Sequence, residues 1–277
     1  MRVWCCGVRG STPSPGAEFV RVGGHTSCLA LAHDGQAPSL VLDAGTGLRR
    51  VSEVLGGQPF VGTILLTHLH WDHVQGLPFF AAGDRDDAVV TVQMPAQGNP
   101  KEVLSRAMSP PHFPIGPDGL KGRWRFEAME PGTHSIEGFD IEAIEVPHKG
   151  GRTYGYRIAD GHATLGYLPD HAPRELGDGP DGHGLIHDAA LRLAADADLL
   201  VHGAQFTARE SMLAAEYGHA TQEYAVALGE AAHARTLWLF HHSPSRTDAA
   251  VDALVQQCTR ATIPVAAAIE GTRVDLR

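Results

Sequence analysis

Three histidines and an aspartate fall within six residues, directly after an apolar segment. This segment, Val61 to Thr67, has the aliphatic and β-branched composition of a buried strand, and it leads into His68, His70, Asp72 and His73. Core packing does not require three imidazoles and a carboxylate at one position, whereas functional side chains concentrate in loops at strand ends. We therefore expect a metal site in a loop at the carboxyl edge of a β-sheet.

Short runs of Val, Ile and Leu recur along the chain and are separated by helical patterns. Strands are predicted at Arg2 to Cys6, Ser27 to His33, Ser39 to Asp43, Val61 to Thr67, Ala88 to Met94, Ile141 to Val146, Thr153 to Ile158, Ala163 to Leu168, Asp198 to His202, Thr236 to Phe240 and Ile263 to Ala267. Helices are predicted at Leu48 to Leu55, Pro100 to Met108, His187 to Ala194, Thr221 to His233 and Asp248 to Thr259. The pattern indicates an α/β sandwich, and its Gly- and Pro-rich stretches are short enough to be loops, so we expect one domain over residues 1–277.

Charge and hydropathy exclude several classes of partner. The chain has 22 Lys plus Arg against 32 Asp plus Glu, a net charge of −10, without a long basic run. An acidic balance of this kind repels a long nucleic acid. The N-terminal residues lack the pattern of a secretory leader, and no stretch is long and apolar enough to span a bilayer, so we expect a cytoplasmic protein without a membrane partner.

Three later motifs follow the histidine cluster. They are Val146 to His148, Tyr167 to Asp170 and Leu239 to Pro244. In this order and spacing the set resembles the metallo-β-lactamase superfamily, and the resemblance covers nearly the whole chain. It implies an α/β fold of the αββα sandwich type, with a metal site at one edge, and the activity of a metal-dependent hydrolase.

The resemblance also implies a set of metal ligands. His242 adjoins one of them, His241, and is its rival, although the motif favours His241. Ligands of imidazole and carboxylate without thiolate suit zinc, and also manganese or iron. The implied cofactors are therefore two divalent metal ions, with zinc as the first expectation. The first ion would be held by His68, His70 and His148, the second by Asp72, His73 and His241, with Asp170 between them.

Three further motifs indicate which bond of the substrate would be broken. Gly7 to Pro13, Leu42 to Gly47 and Gly218 to Thr221 resemble the branch that contains RNase Z and small cyclic-phosphate phosphodiesterases. In that branch a hydroxide bridging two metals attacks the phosphorus. The resemblance makes Asp72 a ligand that orients this hydroxide.

Several residues outside the ligand set are candidates for catalysis or substrate binding. His219 matches a histidine that aids the leaving oxygen, although relatives often carry an orienting acid where this chain has Gly203. Lys149 follows His148 and would attract an anion at the mouth of the site. His112 and Phe113 belong to a Pro-rich aromatic loop that would either stack on a base or cap the core.

The expected substrate is a small or cyclic phosphodiester. Only 21 residues separate His148 from Asp170, so a long arm for binding tRNA is absent. Two alternatives stay open: an acyl hydrolase for esters, thioesters or lactams that uses the same metals, and a non-catalytic metal-binding regulatory protein. Oligomeric state is not determined by the sequence.

Overall fold

Two seven-stranded β-sheets make up the centre of the molecule. A computed structural model describes residues 1–277. The first sheet has the strand order β14-β1-β2-β3-β4-β5-β6. Its strands are β1 (Arg2–Gly7), β2 (Cys28–Ala32), β3 (Leu40–Leu42), β4 (Val61–Leu65), β5 (Val89–Pro95), β6 (Arg123–Met129) and β14 (Arg273–Asp275).

The second sheet has the strand order β13-β12-β11-β10-β9-β8-β7. Its strands are β7 (Gly132–Ile136), β8 (Phe139–Glu145), β9 (Tyr154–Ala159), β10 (Thr164–Leu168), β11 (Leu199–Gly203), β12 (Leu237–Phe240) and β13 (Val265–Ala267). Strands β10 to β13 are parallel, so their carboxyl ends meet at one edge. In the first sheet β3 to β6 are likewise parallel.

Helices cover the outer faces of both sheets. One buried apolar cluster joins the two sheets, and two others join each sheet to its helices. This arrangement confirms the αββα sandwich, and no helix has the length and apolar content to cross a membrane. The helices are α1 (Leu48–Val54), α2 (Trp71–Val74), α3 (Pro100–Ser105), α4 (Asp188–Ala194), α5 (Ser211–Tyr217), α6 (Gln222–Ala231) and α7 (Asp248–Gln257).

The histidine-rich segment differs in one respect from the expected loop. His68 and His70 lie in irregular backbone after β4, but Asp72 and His73 lie on the short helix α2. Its backbone turns at His70, where the His73 amide donates to the His70 carbonyl at 3.0 Å. One helical turn therefore directs Asp72 and His73 inward and leaves Trp71 exposed.

A buried arginine joins two loops behind this region. The Arg9 side chain is fully buried, and its guanidinium donates to the carbonyls of Gly23 at 2.6 Å, Arg246 at 2.7 Å and Ser243 at 3.3 Å. The bond to Gly23 is buried, and the bonds to Ser243 and Arg246 are partly buried. Arg9 thereby holds the loop after β12, which carries His241, against the N-terminal loops.

We expect Arg9→Met to lower the free energy of unfolding by about 3 kcal/mol or more, because it leaves buried carbonyls without a donor. Urea denaturation at a fixed metal concentration measures this change. Arg21→Met is the matched control, since Arg21 is half-exposed and pairs with Asp252 at the surface; its cost should stay below about 1 kcal/mol. Equal losses in the two variants would contradict the structural role of Arg9.

Candidate metal centre

The proposed ligands converge on one edge of the sandwich because each follows the carboxyl end of a strand. His68 and His70 come after β4, His148 after β8, Asp170 after β10 and His241 after β12. Asp72 and His73 reach the same edge from α2. The sheet pairing thus gathers side chains that are far apart in the sequence.

The first group consists of His68, His70 and His148, whose candidate ligand nitrogens all lie within 4.8 Å of one another. His148 Nε2 lies 3.3 Å from His70 Nδ1. His68 Nε2 is buried without a hydrogen-bond partner. Three ring nitrogens therefore face a common point that no protein donor occupies.

The second group consists of Asp72, His73 and His241. His241 Nε2 lies 3.0 Å from Asp72 Oδ2 and 3.3 Å from His73 Nε2. Asp170 lies between the two groups, with Oδ2 2.8 Å from His73 Nε2 and Oδ1 3.8 Å from His148 Nε2. Asp170 therefore lies near a histidine of each group.

His242 points away from both groups. It is fully buried, and its Nε2 donates to the Ala268 carbonyl at 3.3 Å. Burial lowers the pKa of this imidazole to about 3, so it is a neutral hydrogen-bond donor in the core. Of the two adjacent histidines, the structure brings His241 to the proposed ligands.

The donors fit divalent metal ions. Burial lowers the pKa of His68 well below its ordinary value and that of His148 to about 4, so both rings are neutral, as ligands must be. Burial raises the pKa of Asp72 and Asp170, but nearby imidazoles outweigh it and lower both pKa values, so both carboxylates are ionised. A bound cation would accept the converging lone pairs and neutralise the buried negative charge.

A fully buried carboxylate supports the second group from behind. Asp43 Oδ2 lies 2.9 Å from His73 Nδ1, at the distance of an ion pair, while His73 Nε2 faces the site. Asp43 also accepts hydrogen bonds from the Thr67 backbone amide at 2.8 Å and the Tyr167 hydroxyl at 2.9 Å. The contact of Asp43 with His73 therefore orients a proposed ligand.

The N-terminal loop closes the site from the other side. The Ser11 backbone amide donates to Asp72 Oδ2 at 2.6 Å, with Ser11 held at a positive φ of 64°. A side chain at Gly10 would place its Cβ 2.3 Å from His241 Nδ1. Glycine at this position therefore permits the loop to approach His241 closely.

His219 lies inside the candidate site. Its Nδ1 is 3.0 Å from Asp170 Oδ1, and together with His148 and Asp170 it forms a further group that could hold a metal ion. At Gly203 an added Cβ would lie 2.1 Å from the Pro169 carbonyl oxygen, so no acidic side chain fits there. Asp170 supplies the carboxylate that contacts His219 instead.

The proposed substrate-binding residues lie outside this group. Lys149 is exposed and its ammonium donates to the Glu216 carbonyl near the end of α5. His112 is exposed, and Phe113 packs edge-to-face on Phe79 with ring centroids 5.7 Å apart. The structure therefore places Phe113 in an apolar patch and gives Lys149 a backbone partner.

An open polar cavity of about 430 Å³ gives access to the ligands. Its lining comprises Ser11, Leu69, His70, Trp71, Asp72, Asp170 and His219. This volume lies within the usual range for small-molecule sites, roughly 300 to 1,000 Å³.

A second cluster of imidazoles, which the sequence did not predict, lies behind Asp170. His171 Nδ1 is 3.2 Å from His202 Nε2, and His171 Nε2 is 2.8 Å from His187 Nε2. Burial lowers the pKa of His171 and brings that of His202 to about 4, so neutral rings can alternate as donor and acceptor. These bonds fix the backbone that follows Asp170.

Comparison with known proteins gives consistent matches. The family model described as "Beta-lactamase superfamily domain" matches residues 39–242. The chain is 26% identical over 278 residues to ribonuclease Z of Natronomonas pharaonis, covering 88% of this chain and 87% of that protein. Its fold is similar to the metallo-β-lactamase fold protein YhfI from Bacillus subtilis, with a TM-score of 0.75, 19% identity and 99% of each chain covered. It is also similar to a diphosphatase of the PhnP family, with a TM-score of 0.69, 18% identity, and 100% of this chain and 98% of that chain covered.

Metal content distinguishes the two adjacent histidines. After reconstitution with zinc or manganese, we expect close to two ions per chain in the unchanged protein. His241→Ala should retain close to one, because it removes a donor of the second group, whereas His242→Ala should retain two. Elemental analysis of protein shown by circular dichroism to be folded measures these values. A stoichiometry near zero in the unchanged protein, or loss of an ion only in His242→Ala, would refute the assignment.

Proposed function

Since the chain belongs to the beta-lactamase superfamily and is a metal-dependent hydrolase, we propose that it hydrolyses small or cyclic phosphodiesters at a dinuclear metal centre. The observation that carries the proposal is Asp170, which lies between two groups of imidazole and carboxylate donors and also contacts His219. This geometry supports the proposal, because it would combine donors for two cations with an imidazole beside them.

The residues that would hold the two ions are those named from the sequence. His68, His70 and His148 would bind one ion, Asp72, His73 and His241 the other, and Asp170 both. We propose zinc as the native metal, since imidazole and carboxylate donors at a partly open site suit zinc, and they also accept manganese or iron. Such ions lower the pKa of a bound water and polarise a phosphoryl oxygen.

Asp72 positions the reactants and is not a general base. Its low pKa makes its carboxylate a poor proton acceptor at neutral pH. The Ser11 amide and the His241 ring fix Oδ2 from two sides. In the proposed reaction Asp72 would help to hold a metal ion and orient the attacking oxygen.

His219 would donate the proton that the leaving oxygen needs. Asp170 contacts Nδ1, which leaves Nε2 as the ring atom for proton transfer. A positioned imidazole beside a departing alkoxide typically contributes 10²-fold to 10⁴-fold in rate, as general acid catalysis does.

The size and charge of the molecule favour a small substrate. A net charge of −10 opposes a long polyanion, and the cavity fits one compact phosphodiester. Similarity to a ribonuclease Z and to a PhnP-family diphosphatase supports a phosphoester. Lys149, next to His148 in the chain, would add positive charge near the entrance while its ammonium stays on the Glu216 carbonyl.

A substrate panel tests this function. Metal-loaded protein should hydrolyse bis(4-nitrophenyl) phosphate and 2′,3′-cyclic nucleotides with higher kcat/KM than 4-nitrophenyl acetate or an acyl thioester. His70→Ala should lose this activity, because it removes a donor of the first group. Hydrolysis of the acyl substrates alone would identify an acyl hydrolase. No turnover with both ions bound would identify a non-catalytic metal-binding protein.

The role of His219 depends on the leaving group. His219→Gln should lower kcat by roughly 10² or more for a diester with an alkoxide leaving group, because glutamine cannot deliver a proton. The loss should be smaller for 4-nitrophenolate, which departs without protonation, and metal content should stay unchanged. His162→Ala, an exposed histidine between β9 and β10, is the control and should leave both rates unchanged. Equal losses on both substrates would exclude the acid role.

A further inference from the structure

An apolar groove opens beside the metal-binding cavity. It has a volume of about 220 Å³, and its walls include Trp71, Leu77, Phe79, Leu104, Met108 and Phe113. Trp71 also lines the metal-binding cavity and directly precedes Asp72 on α2. The two cavities are therefore neighbours that share the Trp71 side chain as a wall.

The exposure of the groove's aromatic residues is unusual for a solvent-facing surface. The Trp71 side chain is 72% exposed and Phe79 is 64% exposed. Phe113, half-buried, packs edge-to-face on Phe79. Large apolar side chains gathered in one exposed concavity indicate a binding site more than a solvated surface.

The lining determines which chemistry the groove accepts. It contains no charged side chain, and Gln75 is its one amide. The metal-binding cavity beside it is lined by ionised carboxylates and imidazoles. With the proposed cations bound, the metal-binding cavity would attract an anion, so a ligand that occupies both cavities would combine an anionic group with an uncharged apolar one.

The volume and the lining of the groove indicate which apolar group of a ligand it can hold. About 220 Å³ is below the usual volume of a complete small-molecule site, roughly 300 Å³ or more, so the groove holds one portion of a ligand. Exposed faces of Trp and Phe stack well on planar rings, and every nucleobase offers such a face.

We infer that this groove binds the nucleobase of a nucleotide phosphodiester whose phosphate lies at the metal centre. The inference rests on the proposed function and makes it specific: the substrate is a nucleotide derivative, and a base-free cyclic ribose phosphate is a poor one. Trp71 and Phe79 provide the stacking surface, and Phe113 supports Phe79 from the side.

Binding measurements test the groove without depending on turnover. Isothermal titration calorimetry of metal-loaded protein compares adenosine 5′-monophosphate with ribose 5-phosphate, which share the phosphate and the sugar. The base should tighten binding by about 10-fold, as base–aromatic stacking does elsewhere. Phe79→Ala should remove most of this ratio, and Trp71→Ala should do the same with unchanged metal content.

The matched control is Val61→Ala. Val61 is another exposed large apolar residue, 57% exposed, but it lies at the amino end of β4, away from the ligands at the carboxyl end. This variant should keep the full ratio between the two phosphates. Equal affinity for both phosphates, or an unchanged ratio in Phe79→Ala and Trp71→Ala, would overturn the inference.

Two other outcomes distinguish a failure of the inference about the groove from a failure of the proposed function. If sedimentation shows a dimer that Phe79→Ala converts to a monomer, a second copy of the chain covers the groove and the inference fails. If the variants lower nucleotide affinity but the metal-loaded protein hydrolyses no diester, the groove is a nucleotide site and the proposed function fails instead. Turnover of adenosine 2′,3′-cyclic phosphate above that of its base-free methyl riboside would support both.

Discussion

The buried Asp43 carboxylate is the interaction on which the site depends. A fully buried charge is costly unless several donors surround it. Here the donors come from both sheets, since the Thr67 amide follows β4 and the Tyr167 hydroxyl lies in β10. The His73 ring on α2 lies 2.9 Å from the same carboxylate. The same carboxylate therefore fastens one sheet to the other and sets the ring orientation of a proposed ligand. Packing of the sandwich and geometry of the site are parts of one network.

Burial and charge act in opposite senses on the pKa values of the cluster. Burial keeps His68 and His148 neutral, because a protonated ring would lack solvation. Asp72 and Asp170 stay ionised despite burial, because imidazoles surround them. The proposed ligands therefore place lone pairs and negative charge close together in a buried cluster. Bound cations would neutralise that charge.

Local sequence patterns were sufficient to predict most helices and strands. They also predicted that the proposed ligands lie together. The interior strands were predicted because their residues are apolar on both faces, as in β2 and β3. Strands β6, β7 and β14 were not predicted, since all three are polar and largely exposed. Helix α2 was missed because one turn has too little periodicity to detect. The contact of His73 with Asp43 and the imidazole cluster around His171 were not predicted, because they join residues that only the folded sheets bring together.

The spread of donors along the chain has a consequence for how the protein is made. His68 leaves the ribosome long before His241, which follows the twelfth of fourteen strands. Until that strand is in place, the early imidazoles and carboxylates are without their partners, and the cavity that would hold the ions does not exist. Because ligands stabilise only the folded state, scarcity of metal would weaken the finished protein. The amount of this protein in a cell would then follow the supply of metal, since quality-control proteases degrade chains that unfold.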